Sequence, residues 1–523
     1  MPEFAPFTRL PLIWPGERPV PAPGGPGMPI YMAAIRRRAA NRPLPADQLD
    51  PVAIPHFRGL PGGLRLSLLD QLYRIQRPDR PEILDRFIDA YLLLAEGGFL
   101  NLPGRGRHLA GTATCRSLEA MGHLFRMHWT RLHTVPGPQW QRFMATFRAA
   151  GQARLFPARA PSLASGAPLS PIGAATNILL RSVANPFAWE PDITPSLDRL
   201  LGLLAENVLL FPAASPSAYA KNRSGRFVVD ASGQHPPVPP EGLASPPLPG
   251  EGDIRPRWWI IDTAPALNRL ASFQRSLSLG IPAERVHPAL GEIPAATRRV
   301  LLDRLQRILS RSSRTPSHSP SGEQARLVVG LEQTVRHTFA HRWSGSGDTQ
   351  ALATHVRMQS EMGTQTVDGS AVQEWEVLDT GRGGLRLRTP MVPQRALIGQ
   401  VALLLEGQRQ PEQGPTLALV RWQRILAHKG ATEVGVEELK GTPADCWCRV
   451  GWGTDPALQE HPAILLTASQ ELPELVCPAG LFQAGAPCTI RTDNWNHRAK
   501  LLRLREADVH FERIEIQLRK GSE

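Results

Sequence analysis

Asp379, Gly381 and Gly384, with Arg382 and Arg386 beside them, are the residues of this chain best suited to hold an anion or a purine edge. Residues 375–387 read as a strand, a glycine-rich reversal and a second strand. Val377 alternates with Asp379 before the turn and Leu385 with Leu387 after it, the period-two pattern of half-buried strands. Three glycines in four positions (381, 383 and 384) let the backbone reach positive φ and come close to a ligand. Asp379 supplies an acceptor at the mouth of the turn, and the arginines supply cations. The same residues also suit an ordinary hairpin. Upstream, Arg307 and Arg311 continue the helical pattern of Val300, Leu301, Leu305, Ile308 and Leu309, one turn apart on its solvent face.

The elements that must position this turn follow it directly. Residues 398–405 (IGQVALLL), 416–425 (through LALVRW) and 432–439 (through EVGVEEL) are three successive strand candidates. A glycine turn followed by these strands in this order resembles the PilZ family, small β-barrels that bind the bacterial second messenger cyclic di-GMP. The resemblance covers about residues 374–440. Asp379 and Gly384 match the first and last positions of the family's (Asp/Asn)-x-Ser-x-x-Gly turn, and Gly381 stands where the family has Ser, so one hydroxyl is missing. The family's Arg-x-x-x-Arg clamp has its nearest counterpart in Arg307 and Arg311, with Arg314 close by. The resemblance thus implies a cyclic di-GMP site made of Arg307, Arg311, Arg314, Asp379, Gly381 and Gly384. It also implies a signalling receptor or effector that binds and changes conformation and is not an enzyme, linked to motility, pili, attachment or exopolysaccharide. It implies no cofactor and an unidentified protein partner. The alternative is a degenerate PilZ-like interaction scaffold that has lost the nucleotide.

Composition narrows the remaining classes. The net charge is +12, yet only five of the 59 basic residues are lysine, and Arg36-Arg37-Arg38 is the only run of three. With no basic stripe and no nucleic-acid-binding motif, the sequence predicts no nucleic-acid partner. No apolar run approaches the roughly 20 residues of a membrane span. The N-terminus lacks a charged region followed by an apolar core, so the expected location is the cytoplasm. Cys446-Trp447-Cys448 with Cys477 and Cys488 offers four thiols, but a spacing of one is unlike zinc-binding spacing. In a strand both residues of Cys-x-Cys point to one face, as small core residues do.

The expected architecture is α+β: a mainly helical N-terminal region, a PilZ-like antiparallel β-barrel, and a β-rich C-terminal extension. Residues 1–60 read as an irregular Pro-rich arm and 61–210 as a helical domain. In the latter, Leu64, Leu68, Leu72 and Ile75 share one face, and Ile83, Phe87, Ala90, Tyr91 and Leu94 another. Residues 211–256 read as a Pro-rich linker, and 257–310 as a strand and helices, with Asp262 or Thr263 capping a helix. Residues 311–440 form the barrel, with an inserted loop at about 337–373. Residues 441–523 are a β-rich extension or second small barrel. Val377, Leu387, Val401, Leu403, Leu419 and Val436 are the expected interior of the first barrel.

Overall fold

A computed structural model describes residues 50–56, 60–76, 78–101, 105–213, 225–231, 233, 235–238, 258–310, 319–320, 322–343, 372–381, 383–406, 414–426, 429–451, 459–468, 471–492 and 496–519. The chain divides into two compact units. One comprises residues 1–124 and 146–175, the other 125–145 and 176–523.

The first unit is helical. α1 (Gly62–Gln76) and α2 (Pro81–Asn101) are followed by α3 (Arg105–Thr130) and α4 (Gly137–Gln152), whose ends fall in the second unit. Pro81 opens α2 where its missing N–H is harmless, and Glu82 lies in the first turn. The core gathers Leu66, Leu68, Leu69 and Leu72 of α1 with Phe87, Ala90, Tyr91 and Leu94 of α2. Leu64 and Ile75 are exposed, so the buried stripe of α1 is rotated from the one expected. Leu66 and Leu69 are buried instead, in one cluster with Leu68, Leu72 and the apolar residues of α2. Asp70 is held by the Tyr91 hydroxyl at 3.0 Å and by Arg116 at 3.0–3.2 Å. A small hairpin, β1 (Ala160–Pro161) with β2 (Pro168–Leu169), completes this unit's described sheet.

In the second unit, Phe125, Trp129, Trp140 and Phe143 form an aromatic cluster, with Phe125 and Trp140 centroids 4.7 Å apart. α5 (Pro171–Val183) enters this unit, followed by α6 (Thr194–Ala205). β3 (Leu209–Ala213), β4 (Arg226–Asp230) and β5 (Trp258–Asp262) make an antiparallel sheet with β5 central. Trp258 and Trp259 are buried in it, a packing role. α7 (Ala264–Ser278) begins immediately after, and Asp262 Oδ1 accepts from the Ala264 N–H at 3.0 Å. The Thr263 hydroxyl instead donates to the carbonyls of Gly225 and Leu309, tying the sheet to the end of α8 (Ala295–Leu309).

Two closed six-stranded barrels follow. The first takes β7 (Gln324–Val329), β8 (Val372–Gly381), β9 (Gly384–Thr389), β10 (Val401–Glu406), β11 (Thr416–Leu426) and β12 (Ala431–Glu438). They pair antiparallel in the cyclic order β8-β7-β10-β11-β12-β9, with the short β6 (Ser319–Pro320) added on β8. α9 (Leu331–Trp343) lies between β7 and β8 in sequence, so residues 337–343 are helical; 344–371 lie outside the described residues. The second barrel contains β13 (Thr442–Val450), β14 (His461–Thr467), β15 (Glu474–Cys477), β16 (Pro487–Arg491), β17 (Asn496–Ala507) and β18 (Glu512–Leu518). It closes in the order β13-β14-β15-β18-β17-β16. Cys446, Cys448, Cys477 and Cys488 are free thiols in its core, and burial pushes Cys488 up to about 12.

The interior of the first barrel holds Val377, Leu387 and Val436 as expected, with Trp375, Ala402, Leu404, Ala418, Val420 and Val434. Val401, Leu403 and Leu419 do not belong to it. They face outward and pack with Val335 of α9 and with Ile464, Leu466 and Phe511 of the second barrel. Both faces of β10 and β11 are apolar because both are covered, and such a strand gives no parity signal to read. Among the described residues, no helix is long and apolar enough to cross a membrane.

Candidate functional site

The β8–β9 hairpin and its neighbours β12 and β11 place three rows of residues across the first barrel. The first row is Glu376, Arg388, Glu433 and Arg424, each opposite the next. The second is Asp379, Arg386, Gly435 and Trp422. The third begins with Gly381, Gly384 and Glu437. Bulges set this alignment. One in β8 falls between Val377 and Asp379, and one in β11 between Val420 and Trp422. A bulge inserts a residue and re-aims those after it.

Glu433 organises the first two rows. Its carboxylate is 1% exposed and receives the Nε and Nη2 groups of Arg386, Arg388 and Arg424 at 2.5–3.3 Å. Burial acts to raise its pKa, but the three guanidiniums more than offset this and hold it at about 2. Arg386 turns its Nη1 to Asp379 at 3.5 Å, and Arg388 turns its own to Glu376 at 3.7 Å. The guanidiniums are thus fixed in direction, each donating two N–H groups to one carboxylate oxygen, with about a third of each side chain still open to solvent.

Two glycines are dictated by close approach. A Cβ on Gly435 would sit 2.0 Å from the Trp422 indole nitrogen, so the indole lies over bare backbone. A Cβ on Gly384 would meet the Val436 carbonyl oxygen at 2.5 Å. Gly383 has φ +85°, and its carbonyl accepts from the Glu438 N–H at 3.0 Å, which ties the turn to β12. The Arg424 guanidinium stands 5.7 Å from the centroid of the Trp422 ring. An anion-binding fork, a carboxylate acceptor and an aromatic face therefore share one strip of the barrel.

The chain reaches the barrel beside this strip. Ser319 and Pro320 of β6 pair with Thr380 and Asp379. Arg311 and Arg314 belong to the segment 311–318 that leads into this pairing; they and Arg382 lie outside the described residues. Arg307 is in the last turn of α8, and its Nη1 bonds Glu506 of β17 at 3.0 Å. Arg421, at the β11 bulge, also bonds Glu506, and its Nε bonds Glu437 at 2.6 Å. Glu437 is the register partner of Gly384. Two bridging carboxylates therefore connect Arg307 to the turn. Sequence alone does not single out Arg388, Arg424, Glu433 or Glu506. The alternation of Arg386 with Arg388 and the spacing of Trp422 and Arg424 were the available signals, but only register joins them to Glu433.

Residues 80–214 match the family described as the cyclic-di-GMP receptor FimW, N-terminal domain. No curated protein and no solved structure matches the chain. The FimW-like segment runs from α2 to β3 and ends well before β8. It was found in the helical half, whereas the turn that resembles PilZ lies in the β-rich half.

Proposed function

We propose that this chain is a cyclic di-GMP receptor of PilZ type, with its ligand on the strip formed by the Asp379, Arg386, Gly435 and Trp422 row. That row is the observation that carries the reading. Guanine presents N–H donors on one edge, which a carboxylate such as Asp379 accepts, and O6 and N7 acceptors on another, which suit a guanidinium. A purine face stacks on an indole or a guanidinium plane, the roles open to Trp422 and Arg386. Gly383 and Gly384 keep side chains out of the ligand's way. The ligand's two phosphates call for further cations, and Arg307, Arg311 and Arg314 precede β6 for this purpose. Gly381 offers no hydroxyl, so recognition at the turn rests on Asp379.

The FimW-like helical segment supports the same reading from outside the barrel. The protein acts by binding, without a reaction or cofactor of its own, in the cytoplasm, and passes the signal to a protein partner in motility, pilus function, attachment or exopolysaccharide production. Calorimetric titration with cyclic di-GMP, beside GTP and cyclic AMP, tests it. Heat with cyclic di-GMP alone is expected. No heat at about 100 μM would leave no affinity useful for signalling and would overturn the proposal.

A further inference from the structure

Helix α8 reaches the second barrel through two arginines one turn apart. Arg304 approaches Asp508 at 3.5 Å and Glu190 at 3.8 Å. Arg307 bonds Glu506 at 3.0 Å. Glu506 is 3% exposed and sits at a bulge of β17, between Leu504 and its own register position, which aims it at α8 and β11. Its other guanidinium partners are Arg421, which grips both carboxylate oxygens, and Arg513 at 4.0 Å. Burial acts to raise its pKa, but Arg421 and Arg307 hold it at about 2, so the carboxylate is ionised at any working pH.

The three partners are not equivalent. Arg421 is only 18% exposed, makes two bonds to Glu506 and also holds Glu437. Arg307 is 46% exposed and makes one bond. It can leave at small cost, because Arg421 continues to satisfy the carboxylate after it goes. An anionic carboxylate on a part-exposed arginine occupies the place a phosphate oxygen would take.

We propose that Glu506 is a built-in competitor for the ligand's phosphate: it holds Arg307 in the ligand-free protein, and capture of Arg307 by a cyclic dinucleotide breaks one of the two arginine ties between α8 and the second barrel. This rests on the receptor reading above. It gives the second barrel a function, as the element that senses whether Arg307 is taken. Affinity would be set by a residue 199 positions away from Arg307 in sequence and outside the ligand's own contacts.

The full chain and its Glu506→Gln variant are titrated with cyclic di-GMP. Amide hydrogen exchange over residues 504–513 is followed with and without ligand. Gln keeps an oxygen for Arg421 but removes the charge that holds Arg307. The variant should bind about tenfold more tightly. In the wild type, ligand should speed exchange over 504–513, where the Asp508 N–H is bonded to the Phe511 carbonyl at 2.8 Å. Equal or weaker binding by a folded Glu506→Gln variant, with wild-type binding intact, overturns the competitor and leaves the receptor reading standing. No binding by either protein overturns both. Should the variant not fold, wild-type exchange decides: unchanged or slower exchange over 504–513 on ligand binding overturns the proposal.

Discussion

Glu433 has three arginines around it and almost no water, and its removal would leave those guanidiniums facing one another. Glu433→Ala is therefore expected to lower stability by about 3 kcal/mol, read by urea denaturation at neutral pH. Glu433 and Glu506 both have folded-state pKa values near 2, against an ordinary 4.5. Their contribution is complete above pH 4.5 and is lost as pH falls towards 2, because the unfolded chain takes up the protons first. Unfolding midpoints measured from pH 6 to pH 2.5 should fall across that window, and less steeply in a Glu433→Gln variant. Trp422 belongs to a different class of residue. In the proposed site its ring would supply the stacking face, so Trp422→Ala should weaken cyclic di-GMP binding by about 1–3 kcal/mol in calorimetry. Undiminished affinity would remove Trp422 from the site.

Among the elements, the segment joining α5 to α6 carries the most unusual charge arrangement. Glu190 is buried beside Arg304 and Asp508, with His510 at 4.0 Å and Asp192 nearby. A Cβ on Gly399, which has φ +74°, would meet Glu190 at 2.4 Å and Asp508 at 2.6 Å, so part of the first barrel also closes over them. Burial raises Glu190 to about 7, with Arg304 opposing and Asp508 adding to the rise. Its folded-state pKa is above the ordinary 4.5, so the folded protein keeps the proton longer. The resulting stability is present below pH 4.5 and is lost as pH rises through 7. The difference in unfolding free energy between wild type and Glu190→Gln should therefore change between pH 5 and pH 8, in the direction that disfavours wild type at the higher pH. A constant difference would show that Glu190 is already ionised at pH 5.

At the scale of the molecule, the two barrels are neighbours through a shared apolar layer rather than beads on a string. Val401, Leu403, Leu417 and Leu419 of the first barrel cluster with Ile464, Leu466, Val476 and Phe511 of the second. A chain ending at residue 440 would leave that layer open on one side. It should bind a hydrophobic dye and associate at micromolar concentration, whereas the full chain should not. A monodisperse, dye-free product would show that α9 alone covers the layer. The FimW-like match occupies residues 80–214, which precede both barrels in sequence and meet the first through the bridge of His133 to Ile425 of β11.

The local pattern was enough for the β8–β9 hairpin, the order of the strands after it, the helical stripe of α2, and the β-rich character of the end. Alternation, turn glycines and helical spacing are short-range properties, carried by neighbouring residues alone. Parity in β10 and β11 was not available in that way, because a strand covered on both faces shows no alternation; only the packing of α9 and the second barrel decides which side Leu403 takes. The caging of Glu433 is a matter of strand register, set by two bulges that sequence does not mark. Arg307 was legible as a cation at the end of a helix. That its partner is Glu506 depends on where a second barrel docks, and long-range docking is a sum over many weak contacts that no local stretch of sequence contains.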